Sequence, residues 1–132
     1  MDPVIEEFRS NGGVVGGRFE GRPLLILNTI GAKSGDPRSH ALMYGTDVDD
    51  LFIIASKGGA PENPAWYHNL LANPDVNIEL GDERFDAVAT PAEGSDRDRL
   101  MEKMVADWPF FGEYQRRVER KIPVVRIRKQ DR

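Results

Sequence analysis

Val76-Asn-Ile-Glu-Leu-Gly-Asp-Glu-Arg-Phe-Asp-Ala-Val-Ala-Thr90 is the stretch that decides the fold class. From Val76 to Leu80, apolar and polar residues alternate with the two-residue period of a strand. Gly81-Asp82 then supplies a turn and Arg84 to Thr90 returns, which predicts a hairpin. So short a link joins only antiparallel strands, because parallel pairing needs a crossover of about a dozen residues or more. The same pattern recurs upstream. Pro23 to Thr29 is an apolar run of strand length, and Ser39–Thr46 and Leu51–Ser56 read as two strands joined by a turn at Asp47-Val48-Asp49-Asp50. Ile122 to Arg128 closes the chain as a strand with Val124, Arg126 and Arg128 on one face.

Helices punctuate these strands. Asp2-Pro3 is a cap followed by proline at the first helical position, opening a short helix within residues 1–12 that Asn11-Gly12-Gly13 stops. Asn63-Pro64 has the same cap-plus-proline form and predicts a helix to about Ala72, ended by Asn73-Pro74. Ser95-Asp-Arg-Asp98 resembles a capping box opening a helix through Met101, Met104 and Val105. Pro109 breaks that helix, and a further helical stretch runs from Phe110 to about Lys121. Six strands with hairpin links and three to four helices predict a mainly β, α+β fold: an antiparallel six-stranded barrel flanked by helices, with residues 1–132 as a single domain.

Composition narrows the chemistry. The 132 residues are 39% hydrophobic and 30% charged, and a chain this long buries roughly two-thirds of its unfolded surface. There is no cysteine, which excludes disulfide scaffolds, thiolate metal sites and cysteine nucleophiles. With His40 and His68 as the two histidines, no metal site is expected. No basic segment followed by an apolar run opens the chain and nothing approaches about 18 consecutive apolar residues, so a cytoplasmic protein is expected. The net charge of −4 is unevenly spread: residues 116–132 carry +6 and the first 115 carry −10. A basic end fits either a solvated helix face and strand, or contact with nucleic acid or an anionic membrane surface. No aromatics interleave these charges as stacking platforms, which favours the first reading and argues against nucleic acid, leaving a weak contact with the inner face of the membrane open.

Several motifs are missing. The glycines at 12, 13, 16, 17 and 21 do not fit G-x-G-x-x-G, and Gly31-Ala32-Lys33-Ser34 lacks the Gly-Lys step of a P-loop. There is no G-x-S-x-G elbow, and neither histidine lies beside a convincing serine-nucleophile signal. What is present are two polar loops. Gly31-Ala-Lys-Ser-Gly-Asp-Pro-Arg38 sets Lys33, Ser34 and Arg38 among glycines between two strands. Ser56-Lys57-Gly58-Gly59 repeats that chemistry at the end of another. Each is either a solvated connection or part of a cradle in which backbone N–H groups and cations hold an anion such as phosphate. Trp66 and Tyr67 stand at the start of the helix after Pro64, as core residues or as neighbours of a bound ring. Trp108, Phe111 and Tyr114, at i, i+3 and i+6, either pack on the barrel or line one wall of a pocket.

Asn11-Gly-Gly-Val-Val-Gly-Gly-Arg-Phe19, Leu25-Ile-Leu-Asn-Thr-Ile-Gly-Ala-Lys-Ser-Gly35, Arg38 and Ala55-Ser-Lys-Gly-Gly-Ala-Pro-Glu-Asn-Pro-Ala-Trp-Tyr-His-Asn-Leu70 resemble the deazaflavin-dependent nitroreductase family of actinobacteria. Asn73-Pro-Asp-Val76, Asp96-Arg-Asp-Arg-Leu100 and Ile122-Pro-Val-Val125 extend the resemblance from about residue 8 to residue 128. It implies a split β-barrel of the FMN-binding, flavin-reductase-like type and coenzyme F420, an 8-hydroxy-5-deazaflavin with a phosphate and an oligoglutamate tail. It implies an oxidoreductase in which hydride passes from the reduced coenzyme, F420H2, to a small-molecule electron acceptor: a quinone, an enone or a nitro compound. A non-catalytic F420 carrier is the alternative. By the same resemblance Lys33 and Arg38 would hold the phosphate. Ala32, Ser34, Ser39, His40, Ala41, Leu42, Met43, Ile54, Ala55, Ser56 and Lys57 would complete the cleft. Ala65, Trp66, Tyr67, His68 and Asn69 would close over the ring. On the acceptor side the family's tyrosines stand here as Met43, Trp108 and Phe111, with Tyr114 retained, which removes hydroxyl donors that would polarise a nitro group or a quinone oxygen.

Overall fold

The computed structural model describes residues 2–130. The chain opens with α1 (Pro3–Ser10), capped as expected: the Asp2 carboxylate accepts a hydrogen bond from the Val4 N–H at 2.9 Å. Ile5 and Phe8 are its buried face. Gly13, at φ +91°, then lets the chain pass the turn at Gly81 so closely that a Cβ would lie 2.7 Å from the Gly81 Cα.

Seven strands follow: β1 (Leu24–Ile30), β2 (Pro37–Met43), β3 (Gly45–Asp47), β4 (Asp50–Ile54), β5 (Asp75–Leu80), β6 (Glu83–Pro91) and β7 (Val124–Lys129). They form one sheet in the order β2-β1-β5-β6-β7-β4-β3, and every pairing is antiparallel. The β5–β6 hairpin read from the sequence is there, with Leu80 opposite Glu83 across Gly81-Asp82. β2 and β3 are separated in sequence by Tyr44 alone, yet they occupy the two ends of the strand order. A flat sheet cannot satisfy that constraint, so the sheet curls until its ends meet, which makes the barrel.

The expected strand over 39–46 is therefore two strands, and the sheet has seven strands rather than six. Ala41-Leu42-Met43-Tyr44 is a continuous apolar run up to the break, so periodicity carries no sign of it. The residue that does is Gly45: a Cβ there would sit 2.2 Å from the Phe52 ring, so only glycine fits where the chain folds over that ring.

Helices α2 (Ala65–Ala72), α3 (Gly94–Asp107) and α4 (Phe110–Arg117) pack around the barrel. Two predicted caps are absent. Asn63 does not cap α2; its Oδ1 accepts from Arg120 Nη1 at 2.6 Å, and Pro64 occupies the cap position. Ser95 does not open a capping box; α3 starts at Gly94, and Asp98 instead accepts from Arg97 and pairs with Lys121. α4 stops at Arg117, short of the expected Lys121.

β1 is buried on both faces, which explains its unbroken apolar run. Leu25 and Leu27 join Ile53, Ile78, Val125 and Ile127 inside the barrel with Trp66 and Leu70 of α2. Leu24 and Ile26 face α1. Leu100, Met101, Met104 and Phe111 of α3 and α4 cover Phe52, Ile54 and Val124. No helix among the described residues is long and apolar enough to cross a membrane.

Much of the basic end is used inside the fold. Arg126 reaches Asp47, Asp50 and Asp96 at 3.0, 3.0 and 3.1 Å, and Arg128 reaches Asp50 at 3.1 Å. Arg120 donates to the carbonyls of Ala55, Ser56 and Ala60, tying the segment before β7 to the segment after β4. These pairings favour the structural reading of the basic end over a lipid-facing one.

Hydrogen bonds from Arg99, then Arg126, hold the Asp47 and Asp96 carboxyls below the usual carboxylate range. Arg128 does the same for Asp50, and Arg9 for Glu79. A carboxylate whose folded pKa is depressed stabilises the fold above its unfolded pKa and loses that contribution as pH falls. Unfolding in urea should therefore show a stability that falls steeply below about pH 4, as these carboxylates take up protons. A stability that stayed level down to about pH 2.5 would contradict these pairings.

Candidate functional site

The loop between β1 and β2 is built by its own backbone. Gly31 N–H donates to Asp36 O at 2.8 Å, Gly35 N–H to Gly31 O at 2.9 Å, and Asp36 N–H to Ser34 Oγ at 3.1 Å. Asn69 of α2 pins the loop to the barrel. Its Oδ1 accepts from the Ala32 N–H at 3.0 Å while its Nδ2 donates to Thr29 Oγ1 at 3.3 Å, and both side chains are buried. Lys33 and Arg38 project from this fixed loop and the start of β2, exposed and without a hydrogen-bond or ion-pair partner among the described residues. With His40, Ala65 and His68 they surround a cavity of about 710 Å³.

A second cavity of about 530 Å³ adjoins it. Leu42 and Met43 of β2, Ile54 at the end of β4, Trp66 of α2 and Phe110, Phe111 and Tyr114 of α4 give it apolar and aromatic walls. His40 and Ala65 line both cavities, so the two join at that point. No carboxylate among the described residues lines either one. The junction is polar but incomplete: His40 Nδ1 is buried and has no hydrogen-bond partner. Burial pushes the His40 pKa down; the Asp2 carboxylate opposes that shift in part, and the nearby Arg38 guanidinium adds a smaller lowering. The imidazole is thus neutral at pH 7.

The structure brings most of the sequence candidates to these walls. Ala32, Lys33, Ser34, Arg38, His68 and Asn69 surround the first cavity, and Ala41, Leu42, Met43, Ile54, Ser56, Lys57, Trp66, Phe111 and Tyr114 the second, with His40 and Ala65 between. Ser39, Ala55, Tyr67 and Trp108 lie elsewhere. Ser39 donates its hydroxyl to Asn28, Ala55 is fully buried, and Tyr67 packs against the barrel core. Trp108 lines a separate hollow with Tyr44, Gly45 and Met104, because Pro109 interrupts the helical phase on which the i, i+3, i+6 spacing depended. Restarting the count at Phe110 gives Phe110, Phe111 and Tyr114 as the aromatic wall, a signal the sequence did contain.

The second loop also departs from expectation. Ser56-Lys57-Gly58-Gly59 adopts a tight turn, but the Lys57 ammonium is held by Glu62 at 2.8 Å, so only the first loop offers free cations. Phe19 and Arg22, neither singled out in the sequence, complete the second cavity.

An anion seat joined to an aromatic cavity suits a ligand with an acidic end and a planar ring. The sequence profile of one family matches residues 3–129, and that family is described as F420H(2)-dependent quinone reductase. The chain belongs to the F420H(2)-dependent quinone reductase family. An F420H(2)-dependent quinone reductase from Mycobacterium tuberculosis (strain ATCC 25618 / H37Rv) is 43% identical over 129 residues, covering 89% of this chain and 82% of that protein. A solved F420-H2 dependent reductase (FDR-A) superposes with a TM-score of 0.74 at 38% identity, covering 80% of this chain and 94% of the other. A further solved structure, described as a domain-swapped dimer, gives a TM-score of 0.76 at 35% identity over 93% of this chain and 92% of the other. The curled antiparallel sheet is thus a flavin-reductase-like split barrel, the chain is an oxidoreductase, and its redox coenzyme is reduced F420. The free cations, the aromatic walls and the unpaired His40 nitrogen all fit a coenzyme with an acidic tail and a flat ring.

The state of His40 is directly measurable. In a proton NMR titration its ring signal should move with a midpoint below about 6.5, the ordinary histidine value. A midpoint above that value would mean that the ring is not buried at the junction as described.

Proposed function

We propose that this chain, acting as a single domain, transfers hydride from F420H2 to a quinone, with enones as further acceptors and nitro compounds as poorer ones. The reading rests on one observation above all: a carboxylate-free pair of joined cavities, cationic at one end and aromatic at the other. When bound, the reduced coenzyme supplies a hydride from C5 of its deazaflavin ring. The protein's part is to bind, orient and shield.

Lys33 and Arg38 hold the phosphate, and both are free to do so because neither is committed elsewhere. Asn69 fixes the loop that carries Lys33, so the cations meet the ligand without first ordering a mobile segment. Trp66, a core residue that also lines the cavity, and Phe110 and Phe111 form the apolar walls that keep water from the reacting ring and acceptor. Tyr114 supplies a hydroxyl to an acceptor oxygen. Met43 and Phe111 stand in the same cavity without hydroxyls, so a quinone, whose own carbonyls are strongly electrophilic, is served better than a nitro group. A cavity of about 530 Å³ with aromatic walls beside the cationic seat argues for catalysis over the carrier alternative.

Purified protein should bind F420 and should oxidise F420H2 when menadione is added. Replacing a charge-assisted contact costs about 1.5–3 kcal/mol, so Lys33→Ala and Arg38→Ala should each weaken F420 binding roughly 10- to 100-fold. Because neither side chain has a partner in the fold, the melting temperature should move by only about 1 °C. Variants that bind F420 as the parent does would remove the phosphate assignment, and absence of menadione-dependent oxidation would remove the quinone reading.

A further inference from the structure

Arg22 follows a tight turn and precedes β1, and its side chain lines the aromatic cavity. It is the one half-buried or buried arginine, among the described residues, whose guanidinium has no hydrogen-bond acceptor. Arg97, Arg120 and Arg126, the others so placed, are bonded to the Ile122 carbonyl, to loop carbonyls and to aspartates respectively. Arg22 instead lies over the Phe110 ring, its guanidinium carbon 5.1 Å from the centroid. A stacked ring supports a guanidinium through its face but satisfies none of its five N–H donors, which lie in the plane.

The surroundings do not neutralise it. The cavity has no carboxylate in its wall, and its other cation, Lys57, is already paired with Glu62. Phe110 in turn lies against Tyr114, with ring centroids 5.6 Å apart, so guanidinium and phenol flank one aromatic platform. A half-desolvated fork of donors beside a flat apolar wall fits a planar ligand that carries an anionic oxygen at its edge. The acidic tail of the coenzyme already has Lys33 and Arg38 in the adjoining cavity, beyond His40. Two groups remain for Arg22, the hydroxyl at the edge of the coenzyme ring and an oxygen of the second substrate; sharing the Phe110 platform with Tyr114, whose hydroxyl serves the acceptor, points Arg22 to the second.

We propose that Arg22 selects the electron acceptor: its guanidinium pairs with an acidic oxygen substituent on the acceptor ring, so that anionic quinones are preferred to neutral ones of similar size. This rests on the coenzyme reading given above, and its test has one arm that does not. The arm uses Trp108→Phe protein, in which Trp66, on the cavity wall, is the remaining tryptophan. Quenching of Trp66 by 1,4-naphthoquinone-2-sulfonate, with no coenzyme present, gives the affinity directly. Arg22→Leu should lower that affinity about tenfold or more and Arg22→Lys, which keeps the charge, should recover a large part of it.

In turnover with F420H2, Arg22→Leu should lower the ratio of kcat/KM for the sulfonate to kcat/KM for menadione by a similar factor, carried mainly by KM. The Kd for F420 should change by less than about threefold. The proposal is overturned by an unchanged sulfonate affinity, by equal losses for the two quinones, or by a loss of F420 affinity as large as that for the sulfonate. If the parent protein turns over neither quinone, the reading of the function fails, and the quenching measurement still decides the role of Arg22.

Discussion

β2 and β3 follow one another in the chain with a single residue between them, yet each forms a different end of a seven-stranded order. Everything else in the structure follows from that constraint. It curls the sheet, brings the end of β2 against β4, and leaves the rim of the barrel open where α2 and α4 approach. Gly45 makes the passage possible because the backbone must lie directly on the Phe52 ring. The aliphatic side chains enclosed by the curl contribute roughly 1.5–3 kcal/mol each, whereas ion pairs drawn out of solvent lose much of their attraction to desolvation. The aspartate–arginine cluster at the β3–β4 turn therefore fixes the position of that turn more than it stabilises the barrel.

The open rim has a clear division of charge. Of the cations near it, Lys57 is paired with Glu62 and Arg120 is bound to backbone carbonyls, while Lys33, Arg38 and Arg22 are uncommitted. Keeping charges without partners lowers stability or at best leaves it unchanged, and a binding site is where such an arrangement is of use. Asn69 is the positioning element that connects the helix to the cationic loop, and two hydrogen bonds of one buried amide accomplish it. The neutral, half-buried His40 stands at the step from the cationic cavity to the aromatic one, with a nitrogen that the protein itself does not satisfy.

Local sequence signals were most informative where a short segment determines its own structure. The β5–β6 hairpin, the Asp2 cap and the glycine-bearing loop around Lys33 are of this kind, and each is found where its residues predict it. The signals failed where another partner, far along the chain or near, competes for a side chain. Asn63 has the right neighbours for a cap but is claimed by Arg120, 57 positions away, and Lys57 is claimed by Glu62. The break at Tyr44 leaves no periodic trace, since Ala41 to Tyr44 is apolar without interruption. The resemblance puts Trp108 on the acceptor side, but Pro109 breaks the helical phase that its spacing to Phe111 and Tyr114 would need, and Phe110 holds that place. Arg22 carried no local signal; only the fold shows that it is half-buried without an acceptor.

The most direct test of the central claim, that one ligand spans the cationic and the aromatic cavities across His40, is a crystal structure of the protein with F420. The account predicts the phosphate within hydrogen-bonding distance of Lys33 and Arg38, and the ring against Trp66, Phe110 and Phe111. A phosphate placed away from the Gly31–Arg38 loop, or a ring outside the α4 wall, would contradict it.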